Sequence, residues 1–343
     1  MKGLYKISTG ELDGLFAEIA REMRLYAPLR QGNELNFGLW GASVTVDLHG
    51  LKTDNTPKDL FLPQSEDLYS ASLKGGDIKI NPAEAEFAPF VVFGVKACDI
   101  KATAVLDNIF LKGDFVDHNY KLRRENALIV SLACNKPGMS CFCAAFNLDA
   151  AAPGGDIATW LCNEYLYLQA QNEKGEGFIK QFAHLLQEAE EGEIAPIQAE
   201  IREKIAALPY SELPLENFTP ENMLKLFNHE NWNILYKACL GCGICTYICP
   251  TCGCYDIRDF EAKCGEIQRF RCWDSCMYPD FTLMAHGNPR ISQKERFRQR
   301  FMHKLAYHPE KFAEYGCVGC GRCVNKCPVS LNIVKIIKSL GGE

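Results

Sequence analysis

The chain has 343 residues, 37 Lys+Arg against 43 Asp+Glu, a net charge of −6 and 18 cysteines. A 47% apolar content with 11% aromatics supports real cores and excludes wholesale disorder, and the length suggests two domains. Mild acidity argues against a general nucleic-acid binder, and no long apolar segment marks a secretory leader or membrane insertion.

In chain order, Leu12, Leu15, Phe16, Ile19, Ala20 and Met23 recur at helical spacing and predict a helix over 11–25. Ser8 and Glu11 make a capping box before it. Residues 41–48 (GASVTVDL) alternate like a strand. Two continuous apolar runs, Phe90–Val95 (FVVFGV) and Ala127–Leu132 (ALIVSL), suit strands buried on both faces. Residues 99–111 between them read as a helix with Asp99 at its N-cap, which gives a βαβ unit. Residues 178–206 read as helical, acidic and exposed, and 214–223 as a linker. Beyond about 230 the pattern is short turns around cysteines plus one basic amphipathic helix near Ile291–Leu305. The fold class expected is an N-terminal α/β domain over 1–215. A mainly helical, loop-rich two-cluster ferredoxin-like domain follows over 216–343, with an insertion at 250–316.

The cysteines are uneven. Five lie in 1–230 and thirteen in 231–343, where the charge is +6, leaving −12 for the rest. A long chain without an export signal does not fit a disulfide scaffold, so metal ligation in a reducing cytoplasm is the natural use for so many thiols. One pattern occurs twice: Cys239, Cys242, Cys245, Cys249-Pro250, and Cys317, Cys320, Cys323, Cys327-Pro328. This C-x2-C-x2-C-x3-C-P run is that of bacterial two-cluster ferredoxins, whose fourth cysteine ligates the other cluster. The expected ligand sets for two [4Fe-4S] clusters are therefore crossed. Cys239, Cys242, Cys245 and Cys327 hold one; Cys317, Cys320, Cys323 and Cys249 hold the other. Gly241, Gly243, Gly319 and Gly321 leave room for N–H groups near sulfur, and Ile244, Ile248, Val318 and Val324 would exclude water.

The runs start 78 residues apart, and the insertion between them adds Cys252, Cys254, Cys264, Cys272 and Cys276. For Cys252, Cys254 and Cys276 a further metal site and buried unligated thiols are both open; Cys264 and Cys272 read as unligated. Cys98 and Cys134 follow the two apolar runs by three and two residues. If those strands are parallel neighbours, both thiols sit at one carboxyl edge, within reach of Cys141 and Cys143. That predicts a third iron–sulfur site beside a helix N-terminus, with four separate structural cysteines as the alternative. Cys162 has no partner pattern. No G-x-G-x-x-G after a strand, no Walker A and no Ser/His/Asp set is legible, so no catalytic residue is assigned.

Taken in order over about 240 residues, several stretches resemble one family. They are FGVKACDIKATAVLDNIFL (93–111), YKLRRENALIVSLAC (120–134), CFC (141–143), CPTCGCYDI (249–257), RCWDSC (271–276), HGNPR (286–290) and CVGCGRC (317–323). The family is the iron–sulfur subunit of anaerobic sulfite reductases, which soluble NiFe sulfhydrogenases share as their beta subunit. The resemblance implies a non-catalytic relay of single electrons between a flavoprotein NAD(P)H-linked subunit and a catalytic reductase or hydrogenase subunit. It also implies metal binding by Cys98, Cys134, Cys141, Cys143, Cys252, Cys254 and Cys276, hence one or two further clusters. The competing readings are a self-contained flavin-dependent iron–sulfur oxidoreductase and a zinc-stapled interaction module. The basic helix, with Lys294, Arg296, Arg298, Arg300 and Lys304, is either a docking face or a counter-charge to the clusters.

Overall fold

The computed structural model describes residues 3–74, 76–83, 88–262 and 266–342. Its strands are β1 (Leu4–Ser8), β2 (Arg24–Gln31), β3 (Glu34–Leu39), β4 (Ser65–Lys74), β5 (Asp77–Pro82) and β6 (Phe90–Val95). They continue with β7 (Ala127–Leu132), β8 (Ile157–Cys162), β9 (Tyr165–Ala170), β10 (Gln187–Ala189), β11 (Tyr255–Ala262) and β12 (Glu266–Trp273). The longer helices of the first part are α1 (Leu12–Glu22), α2 (Ala97–Phe110), α3 (His118–Asn126), α4 (Glu173–Gln181) and α5 (Ala195–Ala206). Short helices α6 (Met223–Phe227), α7 (Trp232–Leu235) and α8 (Ile244–Tyr247) lead into α9 (Gln293–Met302). Then come α10 (His308–Phe312), α11 (Arg322–Lys326) and α12 (Ile333–Gly341).

The larger sheet runs β10-β1-β9-β8-β7-β6-β2-β3. Its middle, β2-β6-β7-β8, is parallel, and antiparallel strands flank it. The whole of β6 is buried, as an uninterrupted apolar run requires when helices cover both faces. Leu12, Leu15, Phe16 and Ile19 of α1 pack on one face. Leu106 and Phe110 of α2 join Val92, Val95 and Ile129 on the other. Full burial of each such side chain stabilises by about 1.5–3 kcal/mol, an upper bound given a compact unfolded chain.

The second sheet, β11-β12-β4-β5, joins two hairpins far apart in sequence, all antiparallel. Arg271 on β12 fixes the join. Its Nε donates to Glu66 Oε2 of β4 at 2.7 Å, and it also pairs with Asp117. The last core gathers Trp232, Phe297, Phe301, Leu305, Ile333, Ile336, Ile337 and Leu340, with Phe142 reaching in from the first half.

Several local expectations change. The first helix ends at Glu22 because Met23 is extended and Arg24 opens β2. Ser8 caps a short 3-10 turn at Thr9–Glu11 through Gly10 N instead of a capping box. Residues 41–48 form no strand; Val46 makes one isolated bridge to Leu29, and the alternation records Val44, Val46 and Leu48 packing on the core. Asp99 lies inside the first turn of α2, whose N-cap is Lys96. The 178–206 stretch is two helices with β10 between, and α5 buries Ile197, Ile201 and Ile205. The 214–223 segment is packed, not loose: Leu215 and Phe218 are buried, and Tyr315 Oη donates to both their carbonyls. The β11–β12 hairpin was not expected. Its mark in the sequence is aromatic and β-branched residues alternating with charges over 255–273.

Candidate metal centres

Both ferredoxin-type runs fold alike. Each third cysteine sits in a short helix, α8 or α11, that begins after a glycine of positive φ, Gly243 or Gly321 (both 73°). None of the seventeen described cysteines is disulfide-bonded; Cys264 lies outside the described residues.

Cys239, Cys242, Cys245 and Cys327 line one cavity with Ile244, Met277, Phe297, Arg300 and Phe301. This group lies at the surface: Cys242 is exposed, Leu240 is 66% exposed, and Ile244 does not exclude water as expected. Gly241 N donates to Cys239 Sγ at 3.4 Å and Leu331 N to Cys327 Sγ at 3.2 Å. Arg300 Nε donates to Cys245 Sγ at 2.9 Å, while its Nη2 takes the Cys245 carbonyl at 2.7 Å. Burial opposes the Arg300 charge, but the surrounding thiols, Cys245 foremost, outweigh it and hold the guanidinium protonated.

Cys317, Cys320 and Cys323 form the second group, and Cys249 acts electrostatically on all three. Burial pushes the Cys317 thiol up to about 12, with Lys304 opposing. The structure thus places Cys327 with the first run and Cys249 with the second.

Cys249 also faces Cys252. Their shared hydrogen bond holds Cys249 low and Cys252 high. Cys254 and Cys276 are a similar pair, with Cys254 lowered to about 7 by that bond against its burial. Cys252, Cys254 and Cys276 therefore come together, next to Cys249. Two buried lysines attend them. Lys304 Nζ donates to Thr251 Oγ1 at 2.6 Å and the Gly316 carbonyl at 3.0 Å. Lys58 Nζ donates to the Cys252 carbonyl at 2.9 Å and the Cys249 carbonyl at 3.2 Å, 3.7 Å from the Trp273 ring centroid.

In the first half, β6 and β7 are parallel neighbours, which brings Cys98 and Cys134 to one carboxyl edge. Cys141 and Cys143 close on them. Cys143 is pushed up to about 12, first by burial and then by Cys141 and Cys134. Cys98 is raised by burial and by Asp99, with Arg322 opposing. Lys52 Nζ lies 3.0 Å from Cys141 Sγ, and Lys96 is half-buried beside Cys134. Cys162 ends β8 against Tyr165, and Cys272 sits in β12; neither joins a thiol group.

Among the described residues no three His, Cys, Asp or Glu side chains close on one point as a single ion requires. A cubane, by contrast, takes its thiolates at separate corners. All-thiol donor sets, backbone N–H groups on sulfur and an apolar lining have the chemistry such a group needs.

Sequence reasoning missed the buried Lys58 and the half-buried Lys52 and Lys96. The available signal was a lysine set in apolar or cysteine-flanked sequence, as in FGVKAC. Of the two readings left open for the basic helix, docking face and counter-charge, its contacts favour the counter-charge. Arg296 is spent on the Met277, Arg290 and Ile291 carbonyls, and Arg298 on the Phe227 carbonyl and ring. Arg300 and Lys304 are buried against the thiol groups. No helix among the described residues is long and apolar enough to cross a membrane.

Residues 238–331 match the 4Fe-4S dicluster domain family. Along nearly its full length the chain is also similar to sulfhydrogenase 2 subunit beta of Pyrococcus furiosus, at 31% identity over 316 residues. That alignment covers 92% of this chain and 91% of the relative. With a dicluster domain fused to an α/β half that carries its own thiol group, the chain belongs to the iron–sulfur family of sulfhydrogenase beta subunits.

Proposed function

We propose that this chain is a cytoplasmic electron-relay subunit. It carries single electrons between a flavoprotein subunit that exchanges hydride with NAD(P)H and a catalytic subunit of hydrogenase or sulfite reductase type. In this reading Cys239, Cys242, Cys245 and Cys327 hold one [4Fe-4S] cluster, and Cys317, Cys320, Cys323 and Cys249 hold the second. Cys98, Cys134, Cys141 and Cys143 hold a third, and Cys252, Cys254 and Cys276 belong to a further site beside Cys249. Segments 1–215 and 216–343 then act as one conductor. When bound, such clusters supply reversible one-electron storage.

The observation that carries this reading is the exchange of fourth cysteines between the runs, together with the continuity of the groups. An exposed group stands beside a half-buried one, whose Cys320 packs with Cys98 and lies against Cys141 and whose Cys249 lies beside Cys252. The residues supply what a relay needs: thiol donors, N–H groups on sulfur, and buried cations that offset thiolate charge.

Iron and acid-labile sulfide analysis of the anaerobically purified chain tests it. Iron for at least three clusters, with no flavin and no NAD(P)H-driven reduction unless a flavoprotein partner is added, is expected. Bound flavin with partner-free reduction would establish the self-contained reductase. A colourless protein with stoichiometric zinc would establish the zinc module.

A further inference from the structure

The thiol group of the first half and the second ferredoxin-type run meet without a linker. Phe142 N donates to the Gly319 carbonyl at 2.8 Å, and Cys141 Sγ lies 3.7 Å from the Cys320 carbonyl. A β-carbon at Gly319 would stand 2.4 Å from the Phe142 carbonyl oxygen, and one at Gly321 2.2 Å from that of Ser140. Both glycines also have positive φ, 64° and 73°. Only two bare backbones fit together this closely. Cys98 and Cys320 share one buried cluster with Ala102, Val105 and Val318.

One ion pair spans this seam. Arg322 follows Cys320 by two residues, and Asp99 directly follows Cys98. Arg322 Nη1 and Nη2 donate to Asp99 Oδ1 and Oδ2 at 2.6 and 2.8 Å, and the two side chains are 2% and 1% exposed. Two further guanidinium hydrogens go to Thr53: Nε to its carbonyl at 3.0 Å and Nη2 to Oγ1 at 3.1 Å. A buried, planar fork held by four hydrogen bonds resists swinging away to follow a charge change on either side. In a low local dielectric each of its charges is felt by both thiol groups.

We infer that Arg322 and Asp99 are a positioning pair that locks the Cys98 group against the Cys320 group and sets the redox equilibrium of both at once. The inference rests on the reading of those two groups as cluster sites. A cluster that gains an electron becomes more negative, so the fixed guanidinium favours reduction at both sites and the fixed carboxylate opposes it. Removing one charge must therefore move both sites in one direction, and removing the other must move both in the opposite direction. Simple loss of packing has no such sign.

The test uses the full chain carrying its clusters, as wild type, Arg322→Gln, Arg322→Lys and Asp99→Asn. Each is analysed for iron and sulfide and then titrated potentiometrically with EPR detection. Both midpoint potentials are expected to fall in Arg322→Gln, to rise in Asp99→Asn, and to return toward wild type in Arg322→Lys. A shift at one site only, or shifts of the same sign in Arg322→Gln and Asp99→Asn, would overturn the pairing role. If Arg322→Gln loses its clusters, Asp99→Asn still decides: both potentials must rise, and a fall at either site would overturn the pairing role. Wild-type iron sufficient only for the two dicluster sites would instead refute the cluster reading of Cys98, Cys134, Cys141 and Cys143, and the inference with it.

Discussion

Arg300 Nε stands 2.9 Å from Cys245 Sγ, a charge-assisted contact inside the most exposed of the thiol groups. It gives a buried guanidinium to the group that solvent would otherwise dominate. Replacing Arg300 with Gln removes the charge and the fork. The reduced state of the Cys239 group should become less favourable by on the order of tenfold, with iron content retained. Redox titration of that site against the wild type measures the shift, and an unchanged potential would count against this role.

The crossed arrangement is open to direct attack. Cys327→Ser should weaken the site held by Cys239, Cys242 and Cys245, and Cys249→Ser the site held by Cys317, Cys320 and Cys323. Site-resolved EPR reads this. Damage confined to each mutated run's own three-cysteine set would mean that the fourth cysteines are not exchanged.

Gly321→Ala places a β-carbon 2.2 Å from the Ser140 carbonyl oxygen, on a backbone with φ of 73°. Strain of about 1–3 kcal/mol is expected from the conformation alone. Because the neighbour is backbone, relief requires moving the Ser140–Cys143 segment. Iron retained by the Cys98 group and the thermal midpoint should both fall, whereas Gly177→Ala, which meets nothing in mid-helix, should lower neither.

Phe218 sits in the segment whose composition suggested a linker, yet it is 2% exposed in the last core. Phe218→Ala should cost about 3–5 kcal/mol, as large-to-small core changes do. Denaturant unfolding of the two chains checks it. A loss within experimental error would restore the linker view.

His308 is 3% exposed, with Nδ1 2.7 Å from the Glu314 carbonyl. Burial holds its pKa below the ordinary value of 6.5, with the carbonyl bond acting the other way. An imidazole depressed in the folded state stays neutral while the unfolded chain takes up a proton. Its contribution to stability is therefore complete above about pH 6.5 and is lost as the pH falls below it. An NMR titration, with His308→Gln to assign the resonance, should find a midpoint below 6.5. A midpoint above 6.5 would reverse the sign.

Much of the architecture follows from local pattern. FVVFGV and ALIVSL coincide with β6 and β7 because apolar runs of that length have no other soluble use. The repeated cysteine run gives four-residue turns whose geometry needs glycine, and the positive φ at Gly243 and Gly321 follows from it. What stayed hidden depends on long-range pairing. Glu66 and Arg271, or Asp99 and Arg322, carry no mark in sequence that ties one to the other. Residues 41–48 show the converse: alternation records which side chains face the core, and a neighbouring strand is needed before it becomes a ladder. The basic segment at 291–305 reads as an outer face until Cys245 and Thr251 are seen to lie against its Arg300 and Lys304.

The sheet built from β4, β5, β11 and β12 has a consequence for how the chain is made. β4 gains its partner β12 only about two hundred residues later in synthesis. Closing so long a loop is slow, although its entropy grows only logarithmically with length. The thiols at the β6 and β7 edge are made well before the Val318–Arg322 loop that packs against them. Until that loop is made, the nascent chain presents those cysteines uncovered and oxidisable. A chain cut before that loop would leave Cys98, Cys134, Cys141 and Cys143 without the Cys320 side of their seam.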